Sequence, residues 1–394
     1  MPTLSQNVRL GLRSLRRAPG FTATALVTLA LGIGLATAVF SVAEAMLLRR
    51  LPVRDQEAIV ALWGEKRDGT FDNYPLGLQQ AREFARRSQA LADVASFGYE
   101  GAAPEVIRQG DGVTRMRRAL VSGNYFAVLG AHPLLGRALE PADDVRGAAP
   151  VVVLSYGAWQ SRFDRDPMVI GRRLVTHADG RAHTIVGVMP QGLEYPRGVD
   201  MWAPMLATVA PENERYVAVN LLGRLAADAS APGARDELTR FFARTDAAPP
   251  ERELRGVAQT LPRIVLGDTR AAVLLFAAAS ALLLVITCIN VANLLLVRGL
   301  ARLREVAVRA ALGAGRGQVV IQLLVENSLL AVFGGVLGVG VAAVAIRLFV
   351  SFAPAELPRL GEIRLDAVAL AGAVAITVVA TMLFALAPAL LSSR

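Results

Sequence analysis

Lysine, cysteine and histidine are almost missing from this chain, and each shortage removes a class of protein. The 394 residues hold one lysine (Lys66), one cysteine (Cys288) and three histidines, and arginine supplies the other 41 of the 42 basic side chains. A lone cysteine closes no intrachain disulfide, so any part of the chain facing an oxidising compartment is held by its own core. Lys66 lies in Glu65-Lys66-Arg67, outside any Gly-x-x-x-x-Gly-Lys-Ser/Thr phosphate loop. His-Glu-x-x-His, Gly-x-Ser-x-Gly and paired-cysteine metal spacings are also missing, so no catalytic or metal site is expected. Charge is scarce as well, at 19% of residues against 54% hydrophobic, below the charged share of an ordinary soluble domain. The net charge of +9 forms no long basic tract interleaved with aromatics, which argues against nucleic acid as a partner.

Uninterrupted apolar sequence is what the chain has in plenty. A helix rising 1.5 Å per residue needs about 20 apolar residues to cross roughly 30 Å of hydrocarbon. Four charge-free runs reach that length, at 18–43, 271–297, 327–346 and 367–393, the third bounded by Glu326. Buried helices of soluble domains rarely run so far without a charge. The fold class expected is therefore membrane α-helical, with four transmembrane helices and a mixed α+β extracytoplasmic domain between helices 1 and 2. The expected division is a cytoplasmic amphipathic helix over 1–20, transmembrane helix 1 over 21–48, the extracytoplasmic domain over 49–270, and a second membrane part over 271–394. That last part would hold helices at about 271–297, 323–349 and 367–391. The first run follows arginines as a signal peptide would, but it exceeds the roughly 7 to 15 apolar residues of a signal core and reads as an uncleaved anchor.

Orientation follows from arginine in the short loops. Arg9, Arg13, Arg16 and Arg17 precede the first run, and Arg298, Arg302, Arg304, Arg309 and Arg316 lie between the second and third. The segment before the fourth run carries Arg359 and Arg364 against Glu356, Glu362 and Asp366. Both termini are thus expected in the cytoplasm. Arg49, Arg50 and Arg54 count the other way, but long domains translocate largely regardless of charge. Leu4, Val8, Leu12 and Leu15 recur at helical spacing with Arg9, Arg13 and Arg16 on another side, which predicts a helix lying on the membrane surface and bending at Gly20 into the first span.

Within 49–270 the apolar stretches 58–63 and 151–154 have strand length, and Ser155 is placed to cap a helix through Tyr156, Trp159 and Phe163. Asp179-Gly180 between 174–176 and 184–188 predicts a hairpin, 216–225 a further strand, and 235–244 a short helix. His177 and His183 flank that hairpin without a third ligand and read as a solvated pair. In the membrane runs, Ala30-x-x-x-Gly34-x-x-x-Ala38 and Gly334-x-x-x-Gly338-x-x-x-Ala342 place small residues on one helix face, where backbones can approach. Gly32, Gly34, Gly334 and Gly338 are the candidate packing residues. Asn290 and Asn293, one turn apart, fit interhelical hydrogen bonding or the headgroup region. Between the second and third runs, Leu300, Leu303, Ala307 and Ala310 repeat at helical spacing, so a short amphipathic helix ending near Gly313 is expected. Gly313-Ala314-Gly315 resembles a phosphate cradle but lacks the lysine and the preceding strand, and reads as a helix-ending turn.

Several phrases recur in a family order. They are Leu12-Arg13-Ser14-Leu15-Arg16-Arg17-Ala18-Pro19-Gly20-Phe21, then Leu29-Ala30-Leu31-Gly32-Ile33-Gly34, Val121-Ser122-Gly123-Asn124-Tyr125-Phe126, Leu135-Gly136-Arg137 and Val153-Leu154-Ser155-Tyr156-Gly157. After the second run comes Arg304-Glu305-Val306-Ala307-Val308-Arg309-Ala310-Ala311-Leu312-Gly313. In this order and spacing the chain resembles, over nearly its whole length, the FtsX-like ABC transporter permease family with a MacB-type periplasmic core domain, and among it the acidobacterial-type permeases. The resemblance implies a MacB-like periplasmic core over 49–270 and an FtsX-like permease domain over 271–394. It implies a non-enzymatic subunit of the bacterial inner membrane that couples a separate cytoplasmic ABC ATPase to export or to periplasmic conformational work. The alternative within the family is a regulator that transmits ATPase motion to the periplasm and moves no substrate. No cofactor is implied, ATP being bound by the partner subunit. The implied partners are that ATPase, a second copy of the chain or a second permease unit, the lipid bilayer and a periplasmic adaptor. Arg302, Arg304, Glu305, Arg309 and Gly313 match the loop through which the family meets its ATPase. The acidobacterial-type permeases repeat the core-plus-spans unit, so this chain is expected to be a single unit or the first half of a duplicated one.

Topology is the first testable consequence. In a Cys288→Ser background, a cysteine at position 180 is expected to react with an impermeant thiol reagent from outside, and one at position 314 only after permeabilisation. The reverse pattern would overturn the orientation.

Overall fold

The computed structural model describes residues 4–68, 72–98, 104–109, 112–177, 179–193, 195–244, 253–267, 269–301, 316–353 and 363–392. The chain divides into two compact units, one made of Met1–Arg49 with Asp268–Arg394 and the other of Arg50–Gly267.

The first unit is helical. An N-terminal helix (Leu4–Arg16) is followed by four long ones: the first (Pro19–Ala43, continued by a wider helical turn over Glu44–Leu48), the second (Thr269–Ala301), the third (Arg316–Phe352) and the fourth (Ala367–Ser392). The expected bend at Gly20 falls earlier. Ala18 leaves the helical region at φ −127°, and Pro19, which needs no N–H partner, opens the next helix, so Gly20 is already inside it. Thr22 Oγ1 fixes the corner by donating to the Leu15 carbonyl at 2.8 Å. Among the described residues, three helices are long and apolar enough to cross a membrane, over Pro19–Leu48, Arg270–Gly299 and Leu324–Phe352. The fourth offers the shorter apolar stretch Ala367–Leu383 among those residues, so three of the four expected spans are found at full length. Leu274, Leu275, Phe276 and Leu282 stand exposed on the second helix, and Val336 and Val344 on the third. Apolar surface of that extent belongs in lipid or against another protein.

The second unit is α/β. Its strands are β1 (Ile59–Lys66), β2 (Leu76–Gly77), β3 (Leu91–Gly98), β4 (Glu105–Gln109), β5 (Gly112–Met116), β6 (Arg118–Val121), β7 (Leu135–Gly136), β8 (Val151–Leu154), β9 (Arg173–Thr176), β10 (Ala182–Val188), β11 (Met201–Pro204), β12 (Ala218–Leu225) and β13 (Leu254–Thr260). Among the described residues they form one sheet in the order β13-β1-β12-β3-β6-β11-β8-β10-β9-β4-β5, with β2 on β12 and β7 on β10. Only β6 with β11 and β8 with β10 pair in parallel within that order.

Burial on both faces explains why β1 and β8 are continuous apolar runs and not alternating ones. Ile59 and Ala61 point into a core with Phe97, Tyr125, Phe126 and Trp202, while Val60 and Leu62 point the other way, to Phe84, Leu238 and Phe242. Val151 and Val153 enter the same first core, and Val152 and Leu154 a third core around Trp159 and Leu174. One core therefore lies under both halves of the sheet. Ser155 caps the helix Tyr156–Arg162 by accepting from the Ala158 N–H at 3.2 Å, as its position predicts. The helix expected over 235–244 begins earlier, at Ala231, because Ser230 caps it and Pro232 preorganises its first turn.

The hairpin at Asp179-Gly180 forms, with Leu174 opposite His183, but the histidines are not a solvated pair. His177 is exposed, while His183 is 1% exposed and its Nε2 lies 3.0 Å from Asp179 Oδ2. Arg118 of β6, itself buried, donates to Asp179 Oδ2 at 2.9 Å and to Glu105 Oε1 of β4 at 3.2 Å. Alternation decides the outcome: His183 shares its face with Ile185, which enters the Trp159 core. Burial holds the His183 pKa down, and the neighbouring charges of Arg118 and Arg181 act the same way against the opposing bond to Asp179. Burial works against the Asp179 charge, but hydrogen bonds from Thr176, Arg118 and the Arg181 N–H hold that carboxyl well below the usual range.

Both shifts destabilise the unit in acid. Below the unfolded histidine pKa of roughly 6.5 the unfolded chain takes up a proton that buried His183 refuses, so stability falls as pH drops through that value. Asp179 adds stability present above the unfolded carboxylate pKa of about 3.9 and lost below it. Trp63, Trp159 and Trp202 all lie in this unit. The melting temperature read by tryptophan fluorescence in the full chain is expected to fall between pH 7 and 5.5, and to fall less in His183→Gln. A flat wild-type profile over that interval would refute the assignment.

Candidate functional site

Glycine sets the spacing of the helical unit. A Cβ on Gly34 would stand 2.7 Å from the Gly338 carbonyl oxygen and 2.7 Å from Val341 Cβ, and one on Gly338 would stand 3.2 Å from the Gly34 nitrogen. The first and third helices thus touch backbone to backbone. One turn away a Cβ on Gly334 would meet Leu29 Cβ at 2.7 Å. Gly32 faces the second helix instead, where a Cβ would fall 2.6 Å from Thr287 Oγ1. On the fourth helix, Gly372 lies under the Phe40 ring, and Cys288 of the second helix is buried beside the Ala380 carbonyl. Helices in lipid gain little from hiding apolar surface, so such close approach, with its van der Waals contact, supplies the association energy. The first helix is central because each of its small faces receives a different neighbour.

Polar groups close both ends. At the end of the first helix, Arg49 pairs with Glu44 at 3.1 Å and with Asp366 at 2.5 Å, and Asp366 also caps the fourth helix by accepting from the Val368 and Ala369 N–H groups. Those carboxylates offset the positive charge of Arg49, which sequence counting scored against the orientation. At the other end, Arg298 of the second helix donates to the Ser14 carbonyl at 2.9 Å and to Ser14 Oγ at 3.1 Å. The Ser14 hydroxyl donates to Glu326 Oε2 of the third helix at 2.9 Å. Glu326 is 5% exposed, and the third helix continues before it to Arg316, so the residue that bounds the apolar run in the sequence is an internal part of the helix.

The expected ATPase loop residues Arg302, Arg304, Glu305, Arg309 and Gly313, with the Gly313-Ala314-Gly315 turn, lie outside the described residues. Asn290 and Asn293 are exposed on the second helix and bond to no neighbouring helix among the described residues. Ser14, Glu326 and Asp366 were missed as site residues. Ser14 carries no signal of its own, being one of several uncharged polar residues in the N-terminal helix, with Ser5, Gln6 and Asn7.

The α/β unit is thus inserted in sequence between the first and second long helices of the helical unit. The family model of the MacB-like periplasmic core domain matches residues 22–241, more than half of the chain, and that of the FtsX-like permease C-terminal matches residues 277–394. The chain belongs to this MacB-like, FtsX-like permease family. It is 27% identical over 236 residues to the macrolide export ATP-binding/permease protein MacB of Neisseria meningitidis, covering 59% of this chain and 36% of that one. To the protein of the same name from Rhodopseudomonas palustris it is 29% identical over 232 residues, covering 57% and 34%. The chain thus matches about a third of the length of these curated relatives. Among solved structures, the periplasmic region of MacB from Actinobacillus actinomycetemcomitans aligns at a TM-score of 0.41 and 15% identity, covering 56% of this chain and 95% of that one. The extracellular domain of the noncanonic ABC-type transporter YknZ from Gram-positive bacteria aligns at 0.38 and 12%, covering 51% and 99%.

Filling the contact between the first and third helices tests its role. Gly34→Leu is expected to cost about 1–3 kcal/mol through overpacking, and each ~1.4 kcal/mol is a factor of ten in the opening equilibrium. Alkylation of buried Cys288 in detergent should accelerate roughly in that proportion, whereas Gly340→Ala, which has open space around it, should leave the rate unchanged. Equal rates in both variants would mean that the contact is dispensable.

Proposed function

We propose that this chain is the permease subunit of an ABC-type transporter of the bacterial inner membrane, worked by a separate cytoplasmic ATPase. The observation that supports the reading most is the joint match of a periplasmic core domain and an FtsX-like permease C-terminal to one chain, in which the helical unit is interrupted by an α/β unit. On this reading four helices cross the bilayer, both termini are cytoplasmic, and 50–267 is periplasmic. The curated relatives are named for ATP binding as well as for permease action, whereas no phosphate loop occurs in this sequence. On this reading ATP is hydrolysed by a partner subunit. That partner acts through the 302–315 segment, with Arg302, Arg304, Glu305, Arg309 and Gly313 as the coupling surface. Gly32, Gly34, Gly334 and Gly338 keep the helices near enough to move together. Export, aided by a periplasmic adaptor and by pairing with a second permease unit, is the reading we favour from the names of the relatives.

The purified chain is expected to hydrolyse no ATP, and to change the rate of its ATPase when both are placed in one membrane. Glu305→Arg with Arg309→Glu should leave insertion and the tryptophan melting curve unchanged while reducing ATPase association at least roughly tenfold, the loss of ~1.4 kcal/mol. Full association in the double variant would make that segment a membrane anchor only. Coupled ATPase turnover without movement of any tested cargo would favour the mechanical regulator over the exporter.

A further inference from the structure

We propose that the N-terminal helix is a clasp on the two stems of the 302–315 segment, with Ser14 as its positioning residue. The inference rests on the reading that an ATPase acts on that segment. Whatever moves the segment delivers its force at two points, the end of the second long helix at Ala301 and the start of the third at Arg316. Ser14 ties the two stems directly, because one residue accepts from Arg298 on one stem and donates to Glu326 on the other. Both bonds involve a charged partner and are only partly exposed, which makes them among the stronger hydrogen bonds available.

Apolar contacts beneath the bonds act in the same direction. Leu15 is 5% exposed in a cluster with Val291 and Ala292 of the second helix and Leu330 and Ala331 of the third. A Cβ on Gly11 would fall 2.8 Å from Leu329 Cδ1, so the N-terminal helix lies hard against the third. The clasp also reaches the first helix, since Arg298 stacks 4.4 Å over the Phe21 ring and Thr22 holds the Leu15 carbonyl. A helix that sequence patterning places on the membrane surface is therefore also a strap across three others. Force applied to the segment reaches the second and third helices as one displacement, shared with the first.

The test uses the full chain in lipid nanodiscs, as wild type, Ser14→Ala, Ser14→Thr and Glu326→Gln. Without ATPase, amide exchange in Ser14→Ala should rise about tenfold at both stems, as expected for loss of a hydrogen bond to a charged group. Ser14→Thr, which keeps the hydroxyl, should restore slow exchange, and Glu326→Gln should loosen the third helix stem. With ATPase, Ser14→Ala should bind the partner as wild type does, yet show a several-fold lower ratio of coupled output to ATP hydrolysed. Exchange unchanged in Ser14→Ala, or raised at one stem alone, would overturn the clasp whether or not an ATPase engages the chain. Both stems loosened with the coupling ratio intact would leave a structural contact and overturn the positioning role. A wild-type chain that engages no ATPase would defeat the functional reading instead, with the exchange data still deciding the clasp.

Discussion

The contact between Gly34 and Gly338 is the constraint from which the helical unit follows. Where two backbones meet at 2.7 Å for a hypothetical side chain, nothing larger than hydrogen fits, and the axes of the first and third helices are fixed at that point. The first helix then has only its other faces left for the second helix at Gly32 and the fourth at Phe40, which is why its small residues serve different partners. Lipid would solvate the apolar side chains of these helices as well as a neighbouring helix does. Shape, set by missing side chains, has to select the arrangement.

The α/β unit obeys a different rule. Water surrounds it, so burial of apolar surface drives its folding, at about 25 cal/mol for each Å² removed from solvent. Lacking a disulfide, it uses strands buried on both faces and three cores separated by one sheet. The buried Arg118 charge sits where the β9–β10 turn meets β4 and β6, and it is tolerated because it pairs with the half-buried carboxylates of Glu105 and Asp179, the second of which also bonds buried His183. The pH dependence of the unit enters through Asp179 and His183 of this cluster.

Length and lack of charge made the long helices legible, because hydrocarbon thickness imposes one requirement on any sequence that crosses it. Local rules likewise revealed β1, β8, the Ser155 cap and the Asp179-Gly180 turn. Patterning failed wherever a residue's state depends on partners far along the chain. His183 lies on the buried face by alternation, but the Arg118 it meets there is 65 residues away. Glu326 looked like the edge of a span and proved to be inside a helix, bonded to a serine 312 residues earlier. The small-residue spacings of the first and third runs were visible separately, but that Gly34 would face Gly338, and Gly32 a threonine, is a fact of packing. Strands β3, β6 and β13 escaped notice because each mixes buried and part-exposed positions without strict alternation along its whole length.

The core shared by Ile59, Ala61, Val151, Val153 and Trp202 also has a mechanical meaning. Bending the sheet between β12 and β8 would prise that core open and expose aromatic surface, so the α/β unit is stiff along its long direction and has no internal hinge there. A sheet that one core holds straight moves as a single piece, so a pull on any one of its strands is shared by all of them.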